Sequence, residues 1–387
     1  MFVDRKYASQ APNILMDSWE YGSVLEKVRC EAPDARNNAT WDLFNYPQVG
    51  GDAYPDPFEL SKPSVAAKFY NSKATYEVPI TITTIQMKEA FQSAEQLNSF
   101  VAMIENRIRM KMTLCNDALI MATICNLIGQ KINGGRVVDL LALYNAGPNA
   151  GGSPLTQAKA LTDKEFLRFA SKTVAQYRKF LATASTLYND GSYITFTPED
   201  RLRFIANTEF AKSLDAYLYS DTYHDEFVKL PGYEEVAQQG SGSATDDRLK
   251  IDATIDASGT ATEIVNDGIL AVMLDRDAAA VCNQNYRITS IYNPRGEYTN
   301  FFYKWDAMYM NDVLENVVVF TVGKSYIQDT RINDTDFPTA PTNWTTIDDK
   351  LFYDNDGVMT TAAGTTYDKD VKYFYVASDK PVAPTSA

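Results

Sequence analysis

Histidine is almost absent from this chain of 387 residues and occurs once, as His224. Proteins that carry out acid–base or metal chemistry draw heavily on imidazole, which titrates near neutral pH and is the commonest metal ligand. His224 stands beside Asp225 and Glu226, so it could act as a general base, but we favour an exposed polar helix end. We expect no catalytic, cofactor-binding or metal-binding residue, no cofactor and no enzyme activity.

Cysteine is also scarce, and the four cysteines are too widely spaced for a CxxC motif or a disulfide framework: Cys30, Cys115, Cys125 and Cys282. Reduced, mostly buried thiols in a reducing cytoplasm are the simplest interpretation. No run of about 18 apolar residues occurs, so we expect no membrane-spanning segment. The first residues carry charges with no apolar run behind them, so we expect no signal peptide.

Positive charge is in deficit, with 36 basic against 50 acidic residues and a formal net charge of −14. This balance argues against a dedicated reader of nucleic acid, because binding to phosphates requires clustered Lys and Arg. It suits a protein whose copies must stay dispersed until they assemble. The 24 tyrosines favour large protein–protein contacts.

Several polar patterns have both a chemical and a simpler structural interpretation. Asp275 and Asp277 could bind a metal, but a helix cap explains them more simply. Residues 354–357, Asp-Asn-Asp-Gly, approach a calcium loop, but the required ligands at the first and last positions are missing and a hairpin turn fits better. Gly240–Gly242 is a flexible loop, because no Gly-Lys-Ser/Thr follows to make a phosphate-binding loop.

Two further patterns point to contacts between proteins or to packing. Arg201 and Arg203, beside Glu199 and Asp200, are expected on a solvated face or in an inter-subunit contact. The aromatic residues that alternate along 301–309 could stack on bases or sugars. We favour packing in the core or at a subunit interface.

A single long helix dominates the middle of the chain. Ser93 and Gln96 form a capping box, and apolar residues then recur every three or four positions to about residue 131. At about 1.5 Å per residue, this helix spans roughly 50 Å and is too long for one small domain. Apolar residues surround its second half, which predicts deeper burial there.

The remaining elements give an α+β fold. Strands are predicted over 76–85, 193–197 and 269–274, and helices over 162–188, 197–219 and 276–284. The alternating stretch 301–309 and the run 317–322 are predicted to form a long antiparallel pair. A hairpin between 351–353 and 358–359 and a last strand over 371–376 predict a small β appendage at the C-terminus.

Two segments resemble the major capsid proteins of tailed bacteriophages, a family that shares its fold with encapsulins and the herpesvirus capsid floor. Residues 268–322 read GILAVMLDRDAAAVCNQNYRITSIYNPRGEYTNFFYKWDAMYMNDVLENVVVFTV, with a buried strand, a "DRDA" turn, "NPRG" and an alternating aromatic strand in the family's order. Residues 78–96, VPITITTIQMKEAFQSAEQ, lead into the long helix as the family's extended loop leads into its spine helix. The resemblance covers about residues 1–325.

The resemblance implies the family's parts in a fixed order. These are an N-terminal arm (1–45), an extended loop (46–90), the spine helix and peripheral domain (91–190), an axial domain (191–295), peripheral-domain strands (296–325) and, outside the resemblance, a C-terminal β appendage (326–387).

The implied function is a major capsid protein that self-assembles as hexamers and pentamers into the icosahedral head around a double-stranded DNA genome. No helical scaffolding segment precedes the arm, so a separate scaffolding protein is implied, together with a portal. Packaged DNA would be contacted non-specifically, and no membrane partner is expected. The localisation implied is the virion capsid, assembled in the host bacterial cytoplasm.

Some relatives join their subunits through a lysine–asparagine bond from the extended loop, where this chain has Lys62, Lys68 and Lys73. Nothing in the sequence marks any of the three as reactive. Two alternative functions remain at this stage: an encapsulin-type compartment shell, and a carbohydrate-binding protein that uses the C-terminal β module. We expect that module to face outward, because an addition inside a shell would compete with the genome for volume.

Overall fold

The chain folds into the predicted mixture of helices and strands. The computed structural model describes residues 9, 14–16, 25–31, 62–83, 94–191, 193–217, 234–236, 249–254, 261–266, 268–329, 351–355, 358–361 and 371–377. His224 and the loop 240–242 lie outside these residues. One compact unit comprises Trp19–Ser72 and the other comprises Met1–Ser18 with Lys73–Ala387. The domain boundaries drawn from the sequence stay predictions.

The helices are α1 (Ala94–Asn133), α2 (Leu140–Ala146), α3 (Gln157–Ala160), α4 (Lys164–Leu181) and α5 (Thr208–Tyr217). The strands are β1 (Leu15–Met16), β2 (Leu25–Glu31), β3 (Ser64–Tyr70), β4 (Lys73–Thr83), β5 (Val137–Asp139), β6 (Leu202–Asn207), β7 (Glu234–Val236), β8 (Leu249–Thr254), β9 (Ala261–Asn266), β10 (Ile269–Asp275), β11 (Ala279–Asn293), β12 (Tyr298–Asn311), β13 (Val317–Thr321), β14 (Ser325–Gln328), β15 (Phe352–Asn355), β16 (Val358–Thr361) and β17 (Tyr373–Val376).

The long helix α1 confirms the prediction from periodicity. Its second half is deeply buried, with Ile120, Ile124 and Ile128 almost wholly inaccessible, whereas Ile108 is the buried apolar residue of its first half. Gly135, which follows the helix, has a φ of +70°, a conformation that glycine adopts without steric cost. The capping serine of the predicted box, Ser93, lies outside the described residues.

Length and mean hydropathy alone would allow α1 to cross a membrane. The stretch Asn98–Asn133 contains an 18-residue window with a mean hydropathy of 1.4, and half of that window is buried inside the protein. The core helix of a water-soluble fold shows the same combination, because its apolar residues face other parts of the protein.

The core is built in three layers around a five-stranded sheet with the strand order β5-β13-β10-β6-β7. Successive residues of β10 point to opposite faces, so Val272 and Leu274 pack with α1 while Ala271 and Met273 pack with α4 and α5. All seven residues of β10 are buried. The continuous apolar run seen in the sequence follows from this covering of both faces.

A second sheet, which we call the long-strand sheet, has the order β1-β11-β12-β4. β11 and β12 form a long antiparallel pair, and β4 lies along the other side of β12, with Tyr76 opposite Trp305. The predicted pairing of 301–309 with 317–322 is therefore wrong. β12 pairs within the long-strand sheet, whereas β13 lies in the five-stranded sheet between β10 and β5.

The C-terminal strands complete a six-stranded sheet of order β16-β15-β17-β14-β9-β8. The predicted hairpin is confirmed by the pairing of Asn355 with Val358, and the predicted last strand is confirmed as β17. The described strands of the predicted appendage join β14, which in turn pairs with β9. This part of the chain thus shares a sheet with residues 249–266.

The predicted helix over 276–284 is wrong. Asp275 ends β10, and its Oδ1 accepts a hydrogen bond from the Asp277 amide at 2.9 Å. An aspartate makes the same local contact in a turn as at a helix cap, so the two have the same sequence signature. After this turn, β11 begins at Ala279 and pairs with β12.

Three boundaries between 162 and 219 also differ from the predictions. Asp163, rather than Thr162, caps α4, and the helix ends at Leu181 rather than near Tyr188. The predicted strand over 193–197 is reduced to one bridge between Ser185 and Thr195. The predicted helix over 197–219 begins only at Thr208, because Leu202–Asn207 pair with β10 as β6. Tertiary pairing overrides local propensity in this segment.

Candidate functional site

Most of the exposed large apolar side chains on the described part of the chain lie in three places, and Val101, Leu114 and Leu143 are exposed singly elsewhere. The first is the antiparallel pair of β2 and β3, where Val28, Val65 and Phe69 are about 60% exposed. Their register places all three on one face of this two-stranded sheet, together with Cys30. Because successive residues alternate between faces, Glu26 also lies on this face, and the other face carries Lys27, Arg29 and Lys68 beside Leu25 and Tyr70.

The second place is a segment we call the ledge, residues 180–197, which begins in the last turn of α4. Its exposed apolar side chains are Phe180, Leu187, Ile194 and Phe196, and Ile194 reaches 71% exposure. Along 194–197 the direction of the side chains alternates. Ile194 and Phe196 face outward, whereas Thr195 and Thr197 face the interior.

Hydrogen bonds fix the inner side of the ledge to the core. Thr197 Oγ1 donates to the buried Asp275 carboxylate at 2.8 Å, and Thr195 Oγ1 donates to Asn316 Oδ1 at 2.8 Å. Asn189 Nδ2 donates to the Tyr193 carbonyl at 2.7 Å. The two threonine bonds connect the ledge to the ends of β10 and β13 and the Asn189 bond holds the ledge together, so its apolar residues are presented on a fixed framework.

Buried Lys131 ties the same region to the C-terminal end of α1. Its ammonium donates to the Val313 carbonyl at 2.7 Å and lies 3.3 Å from Asp190 Oδ1. Burial lowers the pKa of Lys131 and outweighs the opposing effect of Asp190. Arg136 lies 3.8 Å from the same carboxylate and donates to the Leu187 carbonyl at 2.8 Å.

The third place is the outer half of β11, where Tyr286, Ile288, Ile291 and Tyr292 are 54–64% exposed. A cavity of about 270 Å³ lies beside it, between α1 and the long-strand sheet. Its apolar lining is provided by Ile108, Met112, Tyr286, Ile288, Tyr303 and Trp305.

A polar cluster on the other face of the long-strand sheet centres on Asp306, which is almost fully buried. Its carboxylate accepts hydrogen bonds from Arg287 at 3.0 and 3.2 Å, from Thr75 at 2.9 Å and from Asn285 at 3.1 Å, and Lys73 Nζ lies 3.0 Å away. These donors, led by Arg287, hold the pKa of Asp306 well below its usual value. The cluster joins β4, β11 and β12.

The three loop lysines have different surroundings. Lys73 is engaged by Asp306, and Lys68 Nζ lies 5.1 Å from the centre of the Tyr70 ring. Lys62 is exposed. The sequence drew attention to Lys73, but its partner Asp306 on β12 is more than 200 positions away and carries no local signal.

The other residues considered from the sequence occupy structural positions. Arg201 forms an ion pair with Asp277, as an intramolecular contact. Along 301–309, Trp305 and Ala307 are buried and Trp305 stacks on Tyr76 at 5.3 Å, which agrees with packing. Cys125 and Cys282 are buried, Cys115 is partly buried and Cys30 is exposed. Burial raises the pKa of Cys125 to about 12.

Metal chemistry finds no support in the described residues, among which no three His, Cys, Asp or Glu side chains come together as a ligand group. The described residues instead present exposed apolar side chains on segments that hydrogen bonds fix in place. Exposed apolar patches mark sites of contact with proteins, membranes or ligands.

Solved structures share this fold. The chain resembles one in the capsid structure of Staphylococcus phage Andhra, with 11% identity, a TM-score of 0.52 and coverage of 82% of this chain and 85% of that one. It is equally similar to a chain in a structure described as the head fiber and inner core protein gp22 of native bacteriophage P68. There the identity is 12%, the TM-score 0.52 and the coverage 83% and 86%. No curated protein matches the sequence.

The family model for the Phi29-like phage major capsid protein matches residues 1–321. This match spans most of the 387 residues and includes both segments on which the resemblance was based. It favours a capsid protein over a compartment shell or a carbohydrate-binding protein. The chain belongs to the Phi29-like phage major capsid protein family and is a structural protein of the phage head.

Proposed function

We propose that copies of this chain associate as hexamers and pentamers and close into an icosahedral head around the double-stranded DNA genome of the phage. Assembly takes place in the host bacterial cytoplasm with a separate scaffolding protein, and a portal occupies one vertex. Packaged DNA is contacted without sequence specificity.

The observation that carries this proposal is the match to the capsid family over residues 1–321, combined with the three exposed apolar surfaces. Large permanent interfaces between subunits bury on the order of 2,000–5,000 Å² and are more apolar than the average surface. The β2–β3 pair, the ledge and the outer half of β11 each supply apolar surface of this kind. A single copy leaves them exposed to water.

The net charge of the chain supports weak contact with DNA and controlled contact between copies. A net charge of −14 opposes tight binding to DNA, so the genome would be confined by the shell rather than gripped by it. The same charge keeps free copies apart, which makes controlled assembly by a scaffolding protein useful. We further propose that the C-terminal six-stranded sheet faces the outside of the head.

Expression of the chain, alone and together with a candidate scaffolding protein from the same genome, tests the proposal by negative-stain electron microscopy. We expect closed particles tens of nanometres across, or rings of five and six copies. A monomer of about 43 kDa under both conditions would count against the proposal.

Variants of the ledge test, in the same experiment, whether this surface takes part in assembly. Replacing Ile194 and Phe196 together with Ser should lower the yield of particles, because both side chains are mostly exposed in a single copy and an interface would bury them. The matched control is Leu143→Ser in α2, a 45% exposed residue outside the three surfaces. Equal loss of particles in both variants would show that the ledge has no particular role.

A further inference from the structure

Within the described residues, most of the outer edge of β11 has no paired strand. β1 pairs with this edge only at Val281 and Cys282, and no other strand among the described residues lies against it. The residues Arg287–Asn293 pair regularly with β12 on the inner side. Their outward backbone groups therefore present a regular row of donors and acceptors to which another strand can bind.

Free sheet edges in soluble proteins are normally blocked by lysine, proline or a bulge. β11 has an irregularity between Gln284 and Arg287, but it precedes the regular stretch rather than interrupting it. Residues 288–293 contain neither lysine nor proline. In their place stand Ile288, Ile291 and Tyr292, each more than half exposed.

Apolar residues line both faces of this edge. Ile288 is opposite Tyr303 and shares its face, beside the cavity of about 270 Å³ under α1. Ile291 is opposite Asn300 and points to the other face. A strand added here would thus gain backbone hydrogen bonds and apolar contacts on both of its faces, and one of its side chains can enter the cavity.

The proposed self-assembly makes another copy of the chain the partner, and the charge of this edge permits that contact. The segment 283–293 contains no acidic residue, although the chain as a whole carries a net charge of −14. Its one charged residue, Arg287, is already neutralised by Asp306 within the same copy. Two copies that repel each other elsewhere meet no such repulsion along this edge.

We infer that residues 287–293 form an inter-subunit contact, at which a second copy of this chain adds a strand to the long-strand sheet. This inference rests on the proposed self-assembly and gives one of its contacts a location and a type of bonding. Backbone pairing, rather than side-chain packing alone, would fix how one subunit is oriented relative to the next.

Amide hydrogen exchange tests the inference directly, since it reads backbone pairing without any substitution. In dissociated wild-type protein, the amides of residues 287–293 that point away from β12 should exchange rapidly. In assembled particles their exchange should slow by at least about 100-fold. Equally fast exchange in particles would overturn the inference, and so would slow exchange in the dissociated protein, which would mean that the edge is covered within one copy.

A scaffolding protein is the other partner to be distinguished. Protection that disappears once the scaffolding protein has been released would assign the edge to that protein and overturn the inference. Protection that persists in particles containing only this chain supports it.

A pair of variants gives an independent readout. Ile288→Lys combined with Ile291→Lys introduces the charges that natural edges use against pairing, and should reduce particle yield at least tenfold. The control Leu143→Lys should stay within about twofold of wild type. Circular dichroism and the thermal midpoint of the dissociated variants establish that they are folded.

The possible failures are distinguishable. Wild-type particles whose edge amides are unprotected would refute the strand addition and leave the capsid function intact. A wild-type chain that never assembles would refute both. Particle formation by the double lysine variant at wild-type yield would also refute the strand addition.

Discussion

Lys131 is fully buried, an exposure that it shares with Asp312 among the charged residues described. Its hydrogen bond to the Val313 carbonyl and its ion pair with Asp190 offset the cost of removing an ammonium group from water. Methionine has a similar length but cannot donate, so Lys131→Met would leave a buried carbonyl and a carboxylate without this partner.

We expect Lys131→Met to lower the free energy of unfolding by about 2–4 kcal/mol. The measurement is urea unfolding of the dissociated protein. Lys172→Met, at an exposed position of α4, is the matched control and should change stability by less than about 0.5 kcal/mol. Wild-type stability in Lys131→Met would show that the apolar side chain compensates for the lost bonds.

Asp306 is expected to make the stability of the folded protein depend on pH. Its donors hold its pKa in the folded protein below the value of about 4 that an unfolded aspartate has. The folded state therefore binds this proton more weakly than the unfolded state. The resulting stability is present above about pH 4 and is lost as the pH falls through the folded-state pKa.

Asp306→Asn should be less stable than wild type at pH 7, and the difference should shrink as the pH is lowered below about 4. Urea unfolding at a series of pH values measures both effects. The control Glu165→Gln affects a carboxylate in an exposed ion pair within α4 and should show little difference at any pH. A constant gap between Asp306→Asn and wild type would contradict the role given to its charge.

At the scale of elements, α1 combines two different environments in one helix. Ile124 is fully buried in its second half, whereas Val101 is 40% exposed in its first half. The second half holds the three layers of the core together. The first half has little core contact of its own, and its apolar residues are available to other surfaces.

We expect Ile124→Ala to cost about 2–5 kcal/mol of stability, from lost burial and the cavity left behind. Val101→Ala should cost less than about 1 kcal/mol, because water already reaches that side chain. Chemical unfolding of the two dissociated variants compares them directly. Similar losses at both positions would mean that the first half of α1 belongs to the folding core.

At the scale of the whole molecule, the net charge of −14 opposes association of copies through the apolar surfaces proposed as contacts. Raising the salt concentration from about 0.1 M to about 1 M shortens the screening length from about 10 Å to about 3 Å. Repulsion between approaching copies should weaken while burial of apolar surface is retained.

We therefore expect assembly to become faster and more complete over this range of salt, as followed by light scattering. Sodium sulfate should act more strongly than sodium chloride at equal ionic strength, because sulfate also strengthens apolar association. Slower assembly with added salt would indicate that attractive ion pairs, rather than apolar contacts, dominate the interfaces.

The sequence alone determined the features that depend on near neighbours along the chain. The length of α1, the burial of its second half, the buried run of β10 and the hairpin of β15 and β16 all follow from periodicity or turn residues within short windows. The family resemblance also came from the order of such local features, and the family match confirms it.

Only the tertiary structure decided which strands pair and which polar residues meet. Leu202–Asn207 read locally as the start of a helix, but they form β6 because β10 offers an open ladder of hydrogen bonds. Asp306 and Lys73 are far apart in the sequence, and their contact depends on the register of β12 against β4. Strand pairing is a choice among distant partners, and the free energy that decides it comes from burial and hydrogen bonds that no short segment contains.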